Sequence, residues 1–74
     1  MYLMFQIKGE NVCVFVEEKY RGQINEKMIQ DELERKGMVV EDCYEVQAEE
    51  LCYYIIDGRV NLPDDVVERI INQK

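Results

Sequence analysis

Four residue types are missing from this chain: serine, threonine, histidine and tryptophan. Without serine and threonine it has no hydroxyl nucleophile of that kind, no serine or threonine phosphorylation site and no N-glycosylation motif. Without histidine it has no imidazole to act as a base, as a pH switch near neutrality or as a metal ligand. These absences remove the groups that small enzymes use most, so we expect no enzymatic activity.

The chain has three cysteines, an odd number. Cys13, Cys43 and Cys52 form no CxxC motif, and gaps of 30 and 9 residues do not match a zinc site. The N-terminus lacks the basic region of a signal peptide, and the longest apolar run, Val12–Val16, is far too short to cross a bilayer. We therefore expect a cytoplasmic protein with free thiols and with neither a metal nor another cofactor.

The length of 74 residues predicts a single domain, residues 1–74, with one modest core. A core of that size is marginal by itself, so association with a partner or with further copies is expected.

Basic residues are missing from one long stretch. Residues 37–58 contain six acids and no lysine or arginine, whereas residues 1–36 and 59–74 have net charges of −1 and 0. This acidic segment therefore carries almost all of the net charge of −7. Tyrosines alternate with its acids, which combines charge for steering with amphipathic rings for contact. Its acids are Glu41, Asp42, Glu45, Glu49, Glu50 and Asp57.

The first half of the chain reads as a hairpin and a helix. Residues 1–8 and 12–20 alternate in polarity around Gly9-Glu10, which predicts a two-residue turn. That turn would pair Ile7 with Val12, Phe5 with Val14 and Leu3 with Val16 on one face. The other face is half apolar and requires cover by another element or a partner. Asn25 as N-cap and Gly37 as C-terminal stop predict a helix over residues 26–36.

The second half is less uniform. Residues 38–46 read as a strand, and a helix is expected near residues 63–72, with Pro63 in its first turn. The run LCYYII at residues 51–56 favours a strand that pairs Val46 with Leu51 and Tyr44 with Tyr53, although a helix over residues 48–57 is the alternative. The predicted fold is α+β, with the order β-β-α-β-β-α, a four-stranded mainly antiparallel sheet and two helices on one face.

The acidic segment allows two interpretations. Acids on an edge hairpin can simply be its solvated side, where they discourage aggregation. Alternatively, they form a docking surface for a protein with a basic surface, in competition with nucleic acid. In size and charge the chain is similar to small inhibitors from phages and mobile elements, of the anti-restriction and anti-CRISPR type. This similarity of type covers no specific residues.

The docking interpretation predicts which residues make contact. Acids near the turn would steer, and tyrosines would supply buried area; if Tyr44 and Tyr53 face the core, Tyr54 and Cys43 replace them. Direct binding of nucleic acid or membranes is not expected of a chain with this charge, and divergent acids disfavour a calcium or magnesium site. The predicted contact residues are Glu41, Asp42, Tyr44, Glu45, Glu49, Glu50, Tyr53 and Tyr54.

The rival hypothesis is a homo-oligomeric assembly subunit. Its interface would be the apolar second face of the first hairpin, formed by Tyr2, Met4 and Phe15. In that case apolar contact supplies the affinity, and the acids keep the outside soluble.

Overall fold

The structure is a computed structural model that describes residues 1–73. A four-stranded sheet has the order β3-β1-β2-β4, and both of its helices pack on one face. The predicted α+β fold and its element order are therefore confirmed. The strands are β1 (Tyr2–Ile7), β2 (Glu10–Phe15), β3 (Val40–Val46) and β4 (Gly58–Asn61), and the α-helices are α1 (Glu26–Arg35) and α2 (Asp64–Ile71). Two 3₁₀ helices span Glu18–Tyr20 and Ala48–Tyr53.

The first hairpin turns one residue earlier than predicted. Lys8 and Gly9 occupy the turn with φ angles of 54° and 78°, as a type I′ turn requires. Phe5 consequently pairs with Val12 and Leu3 with Val14, so the predicted register was wrong by two residues. A slip of two preserves which face each side chain occupies. The predicted inner face of the hairpin is therefore correct although its partners are not.

Helix α1 forms where its local signals place it. The Asn25 side chain accepts a hydrogen bond from the Met28 amide at 3.0 Å, which confirms the predicted N-cap. Gly37 follows the helix with a φ of 89°, a left-handed conformation that glycine adopts without strain. The helix buries Ile29 against the sheet.

The run LCYYII is not a strand. Residues 48–53 form a 3₁₀ helix, residues 54–57 continue as a connection, and the fourth strand is Gly58–Asn61 instead. The predicted pairs of Val46 with Leu51 and of Tyr44 with Tyr53 are therefore wrong. The new strand runs parallel to β2, which makes the sheet mixed, with its other two pairings antiparallel. We call residues 47–57 the cover segment, because it crosses the second face of the sheet.

Two apolar clusters lie on opposite faces of the sheet. The larger joins β1 and β2 to both helices, with Phe5, Val16 and Val67 fully buried. The smaller buries Met4, Cys13 and Val46 beneath the cover segment. The apolar residues of LCYYII are thus used to cover a second face that would otherwise lie open. No helix within residues 1–73 has the length and apolar character that crossing a membrane requires.

A buried carboxylate joins the two helices. Glu32 on α1 is 9% exposed and accepts hydrogen bonds from Arg35 at 2.6 Å and from Arg69 on α2 at 3.1 Å. The hydrogen bond from Arg35 holds the pKa of Glu32 below its usual range. A third base is also near, with Lys36 Nζ 3.9 Å from a Glu32 carboxylate oxygen.

We expect Glu32→Gln to lower the free energy of unfolding at pH 7 by about 1–3 kcal/mol, because two guanidinium groups lose a charged acceptor. A lowered folded-state pKa gives stability that is present above the unfolded carboxyl value, about 4.3, and is lost as the pH falls through the folded value. The variant should therefore lose less stability on acidification than the wild type. Chemical denaturation at several pH values measures this, with the exposed Glu34→Gln as control. Parallel pH curves for wild type and Glu32→Gln would contradict the assignment.

Candidate protein-binding surface

The acidic segment does not form the hairpin that the predicted pairing of residues 38–46 with residues 51–56 implied. It runs along edge strand β3, leaves the sheet at Gln47, crosses the second face as the cover segment and reaches the opposite edge at Gly58. Its acids are therefore distributed over two edges and one face of the sheet instead of lining a single strand pair.

Most of these carboxylates have a structural role as hydrogen-bond acceptors. Glu41 accepts from the Gly9 amide of the hairpin turn at 2.8 Å, and Asp42 accepts from the Cys43 amide at 2.9 Å. Glu50 accepts from the Gln47 amide at 3.1 Å, and Asp57 from the Asn11 amide at 2.7 Å. A lysine or arginine cannot accept such bonds. The need to accept hydrogen bonds from these backbone amides therefore explains in part why residues 37–58 contain no lysine or arginine.

Glu45 lies apart from the other acids of the segment, and a basic side chain neutralises its charge. It lies opposite Leu3 in the register, on the helix side of the sheet, and pairs with Arg21 at 2.7 Å. The hydrogen bond from Arg21 lowers the pKa of Glu45, and both Glu45 and Glu18 raise that of Arg21. Sequence reasoning grouped Glu45 with Glu49 and Glu50, but the structure separates it from them.

The tyrosines also divide. Tyr44 and Tyr54 are half-buried in the second cluster, with ring centroids 6.1 Å apart, and burial raises the pKa of Tyr44. Tyr53, in contrast, is 82% exposed at the end of the 3₁₀ helix. Of the three predicted contact tyrosines, only Tyr53 stands free of the fold.

Ile55 is the exposed apolar residue that sequence reasoning missed. It is 80% exposed, although it lies between Tyr54 and Ile56, which both pack beneath the segment. Ile55 follows the last residue of the 3₁₀ helix, Tyr53, by two positions, and both side chains are left in solvent. Within LCYYII the inward residues are Leu51, Tyr54 and Ile56, a pattern that follows neither a strand nor a regular helix.

Asn11 on β2 holds this exposed stretch in place. Its side-chain amide donates to the Ile55 carbonyl at 2.9 Å, and its backbone exchanges hydrogen bonds with Asp57. The Asp57 amide donates to the Asn11 carbonyl at 2.8 Å. The segment is therefore fixed at two successive points, which presents Ile55 on an ordered backbone rather than a loose loop.

We call the exposed part of the cover segment the acidic ridge. It consists of two large apolar side chains with acids before and after them along the chain. Its residues are Glu49, Glu50, Tyr53, Ile55 and Asp57, all of them exposed.

Part of the interface predicted for self-assembly is covered by the chain itself. Met4 is 0% exposed beneath the cover segment, so it cannot reach another molecule unless that segment leaves. Tyr2 and Phe15 are half-buried, and their rings contact each other at a tilt of 52° with centroids 5.1 Å apart. The sequence predicted that another element or a partner would cover the second face of the hairpin, and the cover segment of the same chain does so.

The thiols and acids show no clustering suited to a metal. Within residues 1–73, no three cysteine or acidic side chains come together as ligands. Cys13 and Cys43 are removed from solvent to different degrees, and this burial raises the pKa of both thiols. Cys52 is exposed on the 3₁₀ helix.

Comparison with known proteins returned no match: no family model, no curated protein and no solved structure is similar to this chain.

Proposed function

We propose that this chain is a non-enzymatic module that binds another protein, and that it docks through the acidic ridge on a basic surface of its partner. The observation that supports this most is the joint exposure of Tyr53 and Ile55, at 82% and 80%. The fold packs Leu51, Tyr54 and Ile56 of the same segment against the sheet. Two large apolar side chains exposed two residues apart in one segment are a candidate contact surface.

The charge around these side chains indicates the kind of partner. Glu49 and Glu50 precede Tyr53, and Asp57 follows Ile55, so the ridge is flanked by carboxylates. A basic partner would be steered toward the ridge by these charges and anchored by the apolar pair. In such an interface the aromatic anchors supply affinity, and the complementary charges around them raise the association rate.

A protein with a basic nucleic-acid-binding groove fits this description. Its lysines and arginines are arranged to meet a row of negative charges, and occupying them would block nucleic acid. The chain would then act in the cytoplasm as an inhibitor of the anti-restriction or anti-CRISPR type. This part of the proposal rests on charge and size, whereas the location of the contact rests on the exposed residues.

The test is a pull-down from lysate of the native host at low and high salt, with mass spectrometry. We expect one basic protein that wild type retains at low salt and loses at high salt, because salt screens exposed charges. Glu49→Gln with Glu50→Gln should weaken retention about tenfold. Glutamine at residue 50 still accepts the bond from Gln47, so the fold is preserved.

The matched control removes the same charge elsewhere. Glu34→Gln with Glu68→Gln changes two exposed acids on α1 and α2, on the other face of the sheet. It should bind as wild type does. Equal retention of the ridge variant and the control at low salt would contradict the proposal, as would the absence of any specific partner.

A further inference from the structure

The cover segment packs on the sheet through little buried surface. Each of its residues is exposed or half-buried, and those that pack against the second face are Leu51, Tyr54 and Ile56. The cluster under the helices, in contrast, joins buried side chains of β1, β2 and both helices. Parts of a fold that bury little apolar surface open at a lower free-energy cost than the rest. The cover segment is therefore expected to open more easily than the helices.

One residue of the sheet supplies the hydrogen bonds that hold the cover segment closed. The Asn11 side chain donates to the Ile55 carbonyl, and the Asn11 backbone exchanges hydrogen bonds with Asp57. Within residues 1–73, the hydrogen bonds of residues 47–54 stay inside the segment. The polar attachment is thus confined to the end of the segment that leads into β4.

The cover segment is long enough to lift without unpairing the strands on either side. Across the sheet Val46 lies level with Phe15, whereas Gly58 pairs with Val12. The direct path from Val46 to Gly58 crosses from one edge strand to the other and runs diagonally, over about 17 Å. Residues 47–57 can span about 36 Å when fully extended. The chain therefore has the slack to leave the second face while β3 and β4 stay paired.

We propose that the cover segment is a lid, which lifts from the second face as a unit while the sheet and both helices stay folded. Asn11 is the latch that holds it closed. Opening uncovers Met4 and Cys13, which are 0% and 3% exposed in the closed form. The acidic ridge moves with the lid, but opening requires no partner and so goes beyond the proposed function without depending on it.

Cys13 reports the opening, because its thiol lies beneath the lid on the interior strand β2. Val14, its neighbour on the same strand, is 2% exposed on the other face, beneath the helices. A thiol at residue 13 becomes reachable when the lid lifts, whereas a thiol at residue 14 is reached only when the helices leave. The exchange Cys13→Val with Val14→Cys therefore moves the thiol from beneath the lid to beneath the helices.

The experiment compares how fast dithiobis(nitrobenzoate), a disulfide reagent, labels these two thiols. Each is the sole cysteine after Cys43→Ala and Cys52→Ala, and labelling by thiol–disulfide exchange releases a coloured thiolate. Relative to the fraction globally unfolded, which denaturant titration gives for each variant, Cys13 should be labelled at least about tenfold faster than the exchange variant. Low urea should accelerate it less, because lifting the lid exposes less surface than unfolding. Equal relative rates with equal urea dependence would overturn the lid.

Two further substitutions separate lid opening from global unfolding. Asn11→Ala removes the hydrogen bond to the Ile55 carbonyl and should raise the labelling rate of Cys13 about fivefold. Asn61→Ala, which changes an exposed asparagine of β4, should not. Ile70→Val loosens the packing of α2, which stays folded in the open form, so it should raise labelling at residue 14 about fivefold and leave that of Cys13 unchanged. An equal rise at both thiols would show that global unfolding exposes Cys13, and the lid would be refuted.

Discussion

Replacing Phe5 by alanine is expected to lower the free energy of unfolding by about 3–5 kcal/mol. Phe5 is 0% exposed at the centre of the sheet, where its ring packs in the cluster that joins both helices to β1 and β2. A chain of 74 residues has a total stability of about 4–11 kcal/mol, so the variant would lose at least about a quarter of it. Denaturant titration followed by circular dichroism measures the loss.

Phe15→Ala is the matched control, because it removes the same ring from the opposite face of the same hairpin. Phe15 is half-buried and contacts Tyr2, so its loss should cost less than half as much. If the two variants lost equal stability, the cluster under the helices would not be the main source of stability in this fold.

The second large effect is on binding. Tyr53→Ala with Ile55→Ala is expected to weaken the affinity for the basic partner about a hundredfold, because buried aromatic and aliphatic anchors dominate protein interfaces. The free energy of unfolding should change by no more than about 0.5 kcal/mol, since both side chains are exposed. Titration calorimetry with the partner identified by pull-down gives the affinity.

Val39→Ala is the control for this experiment, because it trims another exposed apolar side chain, 63% exposed, away from the ridge. It should leave the affinity unchanged. A ridge variant that bound as wild type did, while Glu49→Gln with Glu50→Gln lost binding, would show that the contact is electrostatic alone. That result would remove Tyr53 and Ile55 from the site and keep the acids.

Local signals in the sequence predicted the helices well. Asn25 and Gly37 bracket α1, and Pro63 lies immediately before α2, each within one residue of the predicted place. Capping and stop signals act over three or four residues, so they operate whatever the rest of the chain does. The two faces of the first hairpin were also readable, because alternation survives a register error of two.

The cover segment shows where such reasoning fails. The run at residues 51–56 has the β-branched and aromatic composition of a strand, yet it packs as a 3₁₀ helix and a connection over the second face of the sheet. The composition indicates that these side chains will be buried, but it does not identify the surface against which they will pack. Glu50, three residues after Gln47, accepts a hydrogen bond from the Gln47 amide and is a local signal for the helical start.

The candidate site was predictable in part for the same reason. The sequence identified an acidic, tyrosine-rich segment, and its exposed centre contains Glu49, Glu50 and Tyr53 from the predicted set. It could not separate Glu45, whose partner Arg21 is 24 residues away, or reveal Ile55, whose carbonyl accepts a hydrogen bond from Asn11, 44 residues away. Contacts between distant residues decided both.

The sequence by itself determined the α+β class, the ends of the helices and the segment that carries the charge, because composition, periodicity and capping are local properties. The tertiary structure alone decided which strand lies fourth, which acids face solvent and which apolar side chains remain outside. Those outcomes depend on the second face of the sheet, which must be covered by some part of the chain. Burying Met4, Cys13 and Val46 requires residues 47–57 to cross that face, and this crossing leaves Tyr53 and Ile55 exposed.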